Sequence, residues 1–146
     1  MSFNCYALSP DHEKMNHALE ISGLQMIIGE YHFGTVDRGL AQSLWQVNSQ
    51  KERGDAFRYY TENAFAHRGL IGTGWFRWID QNINGRTDGE NYNCGFIDVT
   101  DRPYPYMVDA AIEAAKSLYE IHSGTKTPFH QAPNAVGHSP IPDLWE

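Results

Sequence analysis

Three short apolar runs divide the chain, and each is followed by residues whose apolar positions repeat with helical spacing. The runs cover residues 2–7, 24–29 and 70–79. The middle run is continuously apolar and too short for a helix, which is typical of a strand buried on both faces of a parallel sheet. We therefore expect a strand at each run.

A helix is expected after each predicted strand. Ser9 provides a cap and Pro10 suits the first turn of the first helix, which should end at Gly23. Residues 52–66 have helical spacing, although Gly54 and Thr61 weaken the pattern. The third helix has the clearest apolar stripe, which follows Pro105: Met107, Ala110, Ala111, Ala114, Leu118 and Ile121.

Strands that alternate with helices predict an α/β fold with a parallel sheet and right-handed crossovers. An eight-stranded barrel of such units needs about 200 residues or more. The three units in residues 1–124 therefore predict an incomplete barrel, unless the chain forms a small open three-stranded sheet. Residues 125–146 contain four prolines and little apolar periodicity, so we expect an irregular tail.

Composition and charge exclude several partner classes. The formal net charge is −7 and the chain has no run of Lys or Arg, so nucleic acid is not an expected partner. No apolar run approaches the roughly 20 residues of a membrane span, and residues 1–14 lack the apolar centre of a secretory signal. The compartment stays open. Cys5 and Cys94 have no metal-binding spacing, and we expect free thiols.

Candidate chemistry collects where the predicted strands end, because functional residues of α/β folds lie at the carboxyl ends of strands. Glu30 directly follows the middle apolar run. A carboxylate at a buried strand end costs several kcal/mol unless it has a partner. Catalysis and a structural ion pair both account for Glu30 at this stage.

A second candidate segment covers residues 75–81. Trp75 and Trp78 bring indole rings next to Asp80 and Gln81, and flat rings beside carboxylates and amides suit a carbohydrate site. The alternative is that both indoles belong to the core. The polar loop at residues 80–94 adds hydrogen-bonding groups but is weak evidence alone.

Motifs for metal ions, phosphates and dinucleotides are missing from the sequence. The residues Glu30, His32 and Asp37 could be assembled into a metal site only on paper, since their spacing matches no helix-face ligand pair. We therefore expect no metal and no organic cofactor.

These strand ends resemble a known family. Residues 27–34 (IIGEYHFG), residues 75–81 (WFRWIDQ) and residues 85–93 (GRTDGENYN) are similar to the last barrel units of β-agarase-like glycoside hydrolases of family 50, within the clan of retaining (β/α)8 TIM barrels. The resemblance covers roughly residues 2–122. It implies a carboxy-terminal barrel portion whose three strands are strands six, seven and eight.

The resemblance also implies roles. Glu30 stands where the clan has its nucleophile, while the acid/base glutamate comes from strand four and has no counterpart here. Retaining hydrolysis needs two carboxyl groups about 5 to 5.5 Å apart, so we expect this chain alone to be inactive even though the parent fold is a glycosidase. The expected ligand is a galactan-type carbohydrate, and the substrate-binding candidates are Tyr31, His32, Trp75, Trp78, Asp80, Gln81, Arg86, Glu90 and Asn91.

One alternative of another class remains open. The chain could form a non-catalytic α/β module that binds carbohydrate or a protein, which the lack of a second positioned carboxylate favours. An incomplete barrel would also leave apolar strand edges and helix faces open, so self-association is expected.

Overall fold

The computed structural model describes residues 1–138; residues 139–146, which belong to the predicted tail, lie outside it. The described chain is a mixed α/β structure. Its elements in chain order are β1 (Ser2–Asn4), α1 (His12–Ser22), β2 (Met26–Tyr31), β3 (Trp45–Gln46), α2 (Gln50–Phe65), β4 (Leu70–Trp75), α3 (Pro105–His122) and β5 (Val136–Gly137). None of these helices is long and apolar enough to cross a membrane.

The main sheet is parallel and has the strand order β1-β2-β4. Each of its strands is followed along the chain by a helix, which confirms the predicted α/β pattern with a parallel sheet. Close backbone approach between strands explains one glycine, because a side chain on Gly74 would collide with the carbonyl oxygen of Gly29. A second, antiparallel sheet pairs β3 with β5.

The helices cover one face of the main sheet. Met26 and Ile28 of β2 are buried there against Tyr60 of α2 and Met107 of α3. Side chains of the other parity, such as Ile27, which is 40% exposed, point to the uncovered face. The core therefore lies between a single sheet and a single layer of helices.

Helices α2 and α3 pack closely where both begin. A side chain on Gly54 would place its Cβ 2.5 Å from the carbonyl oxygen of Tyr106. Gly54, which weakened the sequence pattern for this helix, is thus explained by helix packing: only a residue without a Cβ allows this approach.

The structure corrects several predicted boundaries. Strand β1 ends at Asn4 rather than at residue 7, and β2 covers Met26–Tyr31 rather than residues 24–29, so Glu30 lies inside the strand. Helix α1 begins at His12 and its cap is Asp11, not Ser9, because the Asp11 carboxylate accepts the two free N–H groups of Glu13 and Lys14. Helix α2 begins at Gln50, two residues before the predicted start.

Strand β4 ends at Trp75 rather than at residue 79. Phe76 N–H still donates to the Tyr31 carbonyl of β2. Beyond it the chain bonds with the following loop: Asp80 N–H donates to the Ile97 carbonyl and Phe96 N–H donates to the Trp78 carbonyl. Residues 95–99 contribute only isolated bridges at Ile97.

The described part of the tail crosses α2 before it forms β5. Phe129 N–H donates to the Glu62 carboxylate at 2.7 Å, and the Phe129 carbonyl accepts from the Asn63 amide at 3.0 Å. The Arg58 guanidinium lies over the Phe129 ring at 4.7 Å. Strand β5 was not predicted because two residues are too few to show periodicity.

A buried carboxylate organises the segment that follows β4. Asp80 accepts hydrogen bonds from Gly95 N–H at 2.7 Å, the Tyr104 hydroxyl at 2.6 Å and the Asn93 amide at 3.0 Å. Arg53 of α2 is fully buried beside it, donates to the carbonyl oxygens of Asn93 and Gly95, and lies over the Tyr104 ring at 4.4 Å. This Asp80–Arg53 network joins the loop to the first turns of α2 and α3.

We expect the substitution Asp80→Asn to lower the free energy of unfolding by about 2 to 4 kcal/mol, because an amide cannot accept all three bonds and leaves buried donors unsatisfied. Urea denaturation at neutral pH measures this. The matched control is Asp88→Asn in the same loop, where the carboxylate is 45% exposed and we expect a change within about 0.5 kcal/mol. Equal stability of the two variants would contradict the importance of the network.

Candidate functional site

Glu30 lies at the carboxyl edge of the sheet and is the last residue but one of β2. Its carboxylate is partly exposed and accepts a hydrogen bond from the Tyr6 hydroxyl at 2.7 Å. The neighbouring Cys5 N–H donates to the Glu30 carbonyl at 2.9 Å, so the backbone that follows β1 is tied to the end of β2. Tyr6, two residues beyond the end of β1, and Glu30 therefore lie side by side at this edge of the sheet.

The electrostatics of the pair are asymmetric. Burial, together with the hydrogen bond and the negative charge of Glu30, raises the pKa of Tyr6 well above its usual range. The phenol consequently stays protonated at all ordinary pH values and acts as a donor towards the carboxylate. This holds one oxygen of Glu30 at a fixed position.

Sequence reasoning missed Tyr6, which lay inside the predicted strand at residues 2–7. The signal that was available is positional: Tyr6 follows the strand that comes before Glu30's strand, and carboxyl ends of neighbouring parallel strands meet at one edge. The register that places the two side chains together, with Asn4 opposite Glu30, includes an irregularity after Phe3. A sequence pattern does not reveal such an irregularity.

His32 supports Tyr6 from the side. The two rings meet edge to face with centroids 4.8 Å apart. Nδ1–H of His32 donates to the Phe76 carbonyl at 3.0 Å, and Nε2 accepts Leu44 N–H at 3.2 Å. Burial lowers the pKa of His32 to about 4, so the ring is neutral. Because both ring nitrogens are bonded to the backbone, the His32 ring is held in one orientation and supports the Tyr6 ring.

Two of the candidate sugar-binding residues lie between the sheet and the helices. Tyr31 is buried, stacks on Tyr60 at 4.0 Å and bonds through its hydroxyl to Thr61. Trp75 packs edge to face on Tyr31 at 5.2 Å, and its indole N–H donates to the Cys94 carbonyl at 2.7 Å. Both therefore make core contacts in this structure.

Trp78 has a different environment from Trp75. It is 68% exposed, and it stacks on Phe96 with ring centroids 5.9 Å apart and an interplanar angle of 22°. One face of the indole is thus supported while most of its surface is open. An indole held in this way can present a flat apolar surface to a ligand.

The polar candidates separate into buried and exposed groups. Asp80 belongs to the buried network, and Gln81 is fully buried: its amide nitrogen donates to Glu90 at 2.7 Å and its oxygen accepts Tyr92 N–H at 2.6 Å. Both residues fix the shape of the loop.

The remaining polar candidates lie on the outer part of the same loop. Arg86 pairs with Asp88 at 2.7 Å and approaches Glu90 at 3.3 Å. The Asn91 carbonyl accepts a hydrogen bond from Ala41 N–H at 3.1 Å. Asn91 is thus held by its backbone, and its side chain takes no part in that bond. These side chains are partly or largely exposed.

Acidic, histidine and cysteine side chains of residues 1–138 do not gather in groups of three that could hold a metal ion. What the arrangement offers instead is a carboxylate fixed by one phenol donor at the carboxyl edge of a parallel sheet. A carboxylate of this kind can attack an electrophilic carbon or stabilise a developing positive charge.

Comparison with known proteins agrees with the resemblance, although no protein-family model matches the chain. Beta-agarase A of Vibrio sp. (strain JT0107) is 39% identical over 126 residues, which is 82% of this chain and 13% of that protein. A solved exo-beta-agarase superposes with a TM-score of 0.79 at 37% identity, covering 85% of this chain and 17% of the other. The structure of PfGH50B gives a TM-score of 0.78 at 40% identity, covering 82% and 17%.

The chain spans only about an eighth of the length of its curated relative. Over 82% of its residues, this chain is therefore a β-agarase-like segment of the glycoside hydrolase family 50 type.

Proposed function

We propose that this chain supplies strands six, seven and eight of a retaining (β/α)8-barrel glycosidase that cleaves an agar-type galactan, with Glu30 as the nucleophile. The observation that carries the proposal is the bond between the Tyr6 hydroxyl and the Glu30 carboxylate. It lies at the strand edge where α/β enzymes place their chemistry, in a chain whose relatives are named β-agarases.

In the proposed mechanism, the ionised Glu30 carboxylate attacks the anomeric carbon of the bound sugar. The bond to the leaving oxygen breaks as that oxygen takes a proton from the acid/base carboxyl, and a glycosyl-enzyme ester forms on Glu30. Water, deprotonated by the acid/base, then cleaves the ester and restores the carboxylate. Tyr6 holds Oε2 of Glu30, and we assign the attack to the other oxygen.

The resemblance to the retaining barrels assigns the acid/base residue to strand four of the complete barrel, and retaining enzymes hold the two carboxyl groups about 5 to 5.5 Å apart. Residues 1–146 by themselves should then show no measurable hydrolysis, since general acid assistance alone contributes about 10² to 10⁴-fold. The non-catalytic binding module gains no support from relatives that are named as agarases.

For substrate binding, we propose Trp78 as the sugar platform and Arg86, Glu90 and Asn91 as partners of hydroxyl groups. Trp78 is 68% exposed, while Trp75 is partly buried and packs on core aromatic rings. Asp80 and Gln81 contribute indirectly, through the shape of the loop.

The nucleophile is tested in the complete enzyme that contains this segment, using a 2-deoxy-2-fluoroglycosyl fluoride of the galactan type. Mass spectrometry of peptides should find the label on Glu30, and Glu30→Gln should abolish both labelling and turnover, with a loss in kcat of at least about a thousandfold. Glu90→Gln, the matched control, should still be labelled at residue 30. A label found on another carboxylate would disprove the assignment.

The two tryptophans should separate into a binding and a folding phenotype. Trp78→Ala should lower kcat/KM for oligosaccharides by about three- to tenfold, the value of one aromatic contact, with little change in stability. Trp75→Ala should instead lower the free energy of unfolding by about 3 to 5 kcal/mol. Steady-state kinetics and urea denaturation distinguish them, and reversed phenotypes would contradict the assignment.

A further inference from the structure

The last described residues return to the neighbourhood of Tyr6. We define residues 125–138 as the C-terminal strap. It is anchored on α2 at Phe129 and then forms β5 against β3. His138 N–H donates to the Leu44 carbonyl at 2.7 Å, and the His138 ring bonds to the Gln46 side chain at 3.1 Å.

The strap contacts Trp45 directly. Gly137 is the pairing partner of Trp45, and a Cβ at Gly137 would lie 3.1 Å from the indole ring. The strap backbone therefore lies against the indole at a distance that a larger residue could not reach without displacing the ring. The contact with Gly137 therefore helps to fix the position of the Trp45 indole.

On its other side, the same segment contacts the Tyr6–Glu30 pair. The indole N–H of Trp45 donates to the Tyr6 carbonyl at 2.8 Å. The adjacent Leu44 N–H donates to His32, whose ring packs against the Tyr6 ring. Residues 44–46 thus connect the strap to both the backbone and the ring of Tyr6.

We propose that Trp45 is a positioning residue for the Tyr6–Glu30 pair and that the C-terminal strap fixes Trp45 in its working position. The inference rests on the proposed role of Glu30. Strap pairing orients the Trp45 indole, the indole holds the Tyr6 backbone, and the Tyr6 hydroxyl holds the Glu30 carboxylate. Release of the strap should therefore weaken the hydrogen bond between Tyr6 and Glu30, although the connection runs only through Trp45.

The test uses 3-fluorotyrosine incorporated at position 6 of the full-length chain and ¹⁹F NMR at neutral pH, where the phenol is protonated and its ¹⁹F chemical shift reports the hydrogen bond to Glu30. The same labelled chain with Glu30→Ala gives the chemical shift of residue 6 without that bond. Two variants loosen the pair: Trp45→Phe removes the indole donor, and His138→Pro removes the N–H that bonds to Leu44. His138→Ala, which keeps that N–H, is the matched control.

We expect the ¹⁹F resonance of residue 6 in Trp45→Phe and in His138→Pro to move from its position in the parent chain towards its position in Glu30→Ala, because the bond to the carboxylate is weakened. His138→Ala should match the parent chain. Circular dichroism at the same pH confirms that each variant is folded, so that the change is not global unfolding. If Trp45→Phe does not fold, His138→Pro still tests the proposal, because His138 is an exposed residue.

An unchanged ¹⁹F chemical shift in folded His138→Pro would overturn the role of the strap, and an unchanged shift in folded Trp45→Phe would overturn the role of Trp45. The readout requires no sugar and no acid/base residue. Failure of this inference therefore leaves the nucleophile assignment intact, and failure of sugar trapping on Glu30 leaves the NMR result intact.

Discussion

A buried negative charge shapes the region around the candidate site. The Asp80 carboxylate has left water and must be compensated by donors, since an uncompensated buried charge is among the most costly defects in a protein interior. It recruits Gly95 and Tyr104 from the chain that follows and lies near Arg53 from the preceding helix. The loop that carries Arg86 and Glu90 is consequently held by interior electrostatics, with little regular strand pairing.

The main sheet has two chemically different environments. The helix-covered side is filled with stacked aromatic rings, including Tyr31, Tyr60 and Trp75. At the carboxyl edge, the polar pair of Tyr6 and Glu30 is only partly buried. Adjacent residues 30 and 31 serve different purposes because a register irregularity between Ile28 and Tyr31 breaks the alternation of the strand, so that Tyr31 is buried like Met26 and Ile28 while Glu30 stays partly exposed. The packed aromatic rings on the helix side support the end of β2, from which the Glu30 carboxylate of the polar pair extends.

The sequence predicted those features that depend on local periodicity. The apolar runs located three parallel strands, and Glu30 was selected as a candidate because a charge directly follows an apolar run. Tyr6 was missed because its position beside Glu30 depends on the register between strands. Asp80 and Gln81 were expected to bind the substrate, yet they are buried, because their partners come from residues 9 to 24 positions away. Strands β3 and β5 are too short for any pattern and form only through long-range contact.

The pairing of the strap with β3 has a consequence for the order of folding. Gln46 and His138 are 92 positions apart. Contacts between residues that are far apart in the sequence form late, because the chain loses entropy before the contact provides any stabilisation. The sheet and its helices join segments that are closer together in the sequence, so they can assemble while residues 136–138 are still being synthesised. Tyr6 and Glu30 should therefore reach their final geometry only after the aromatic layer has formed.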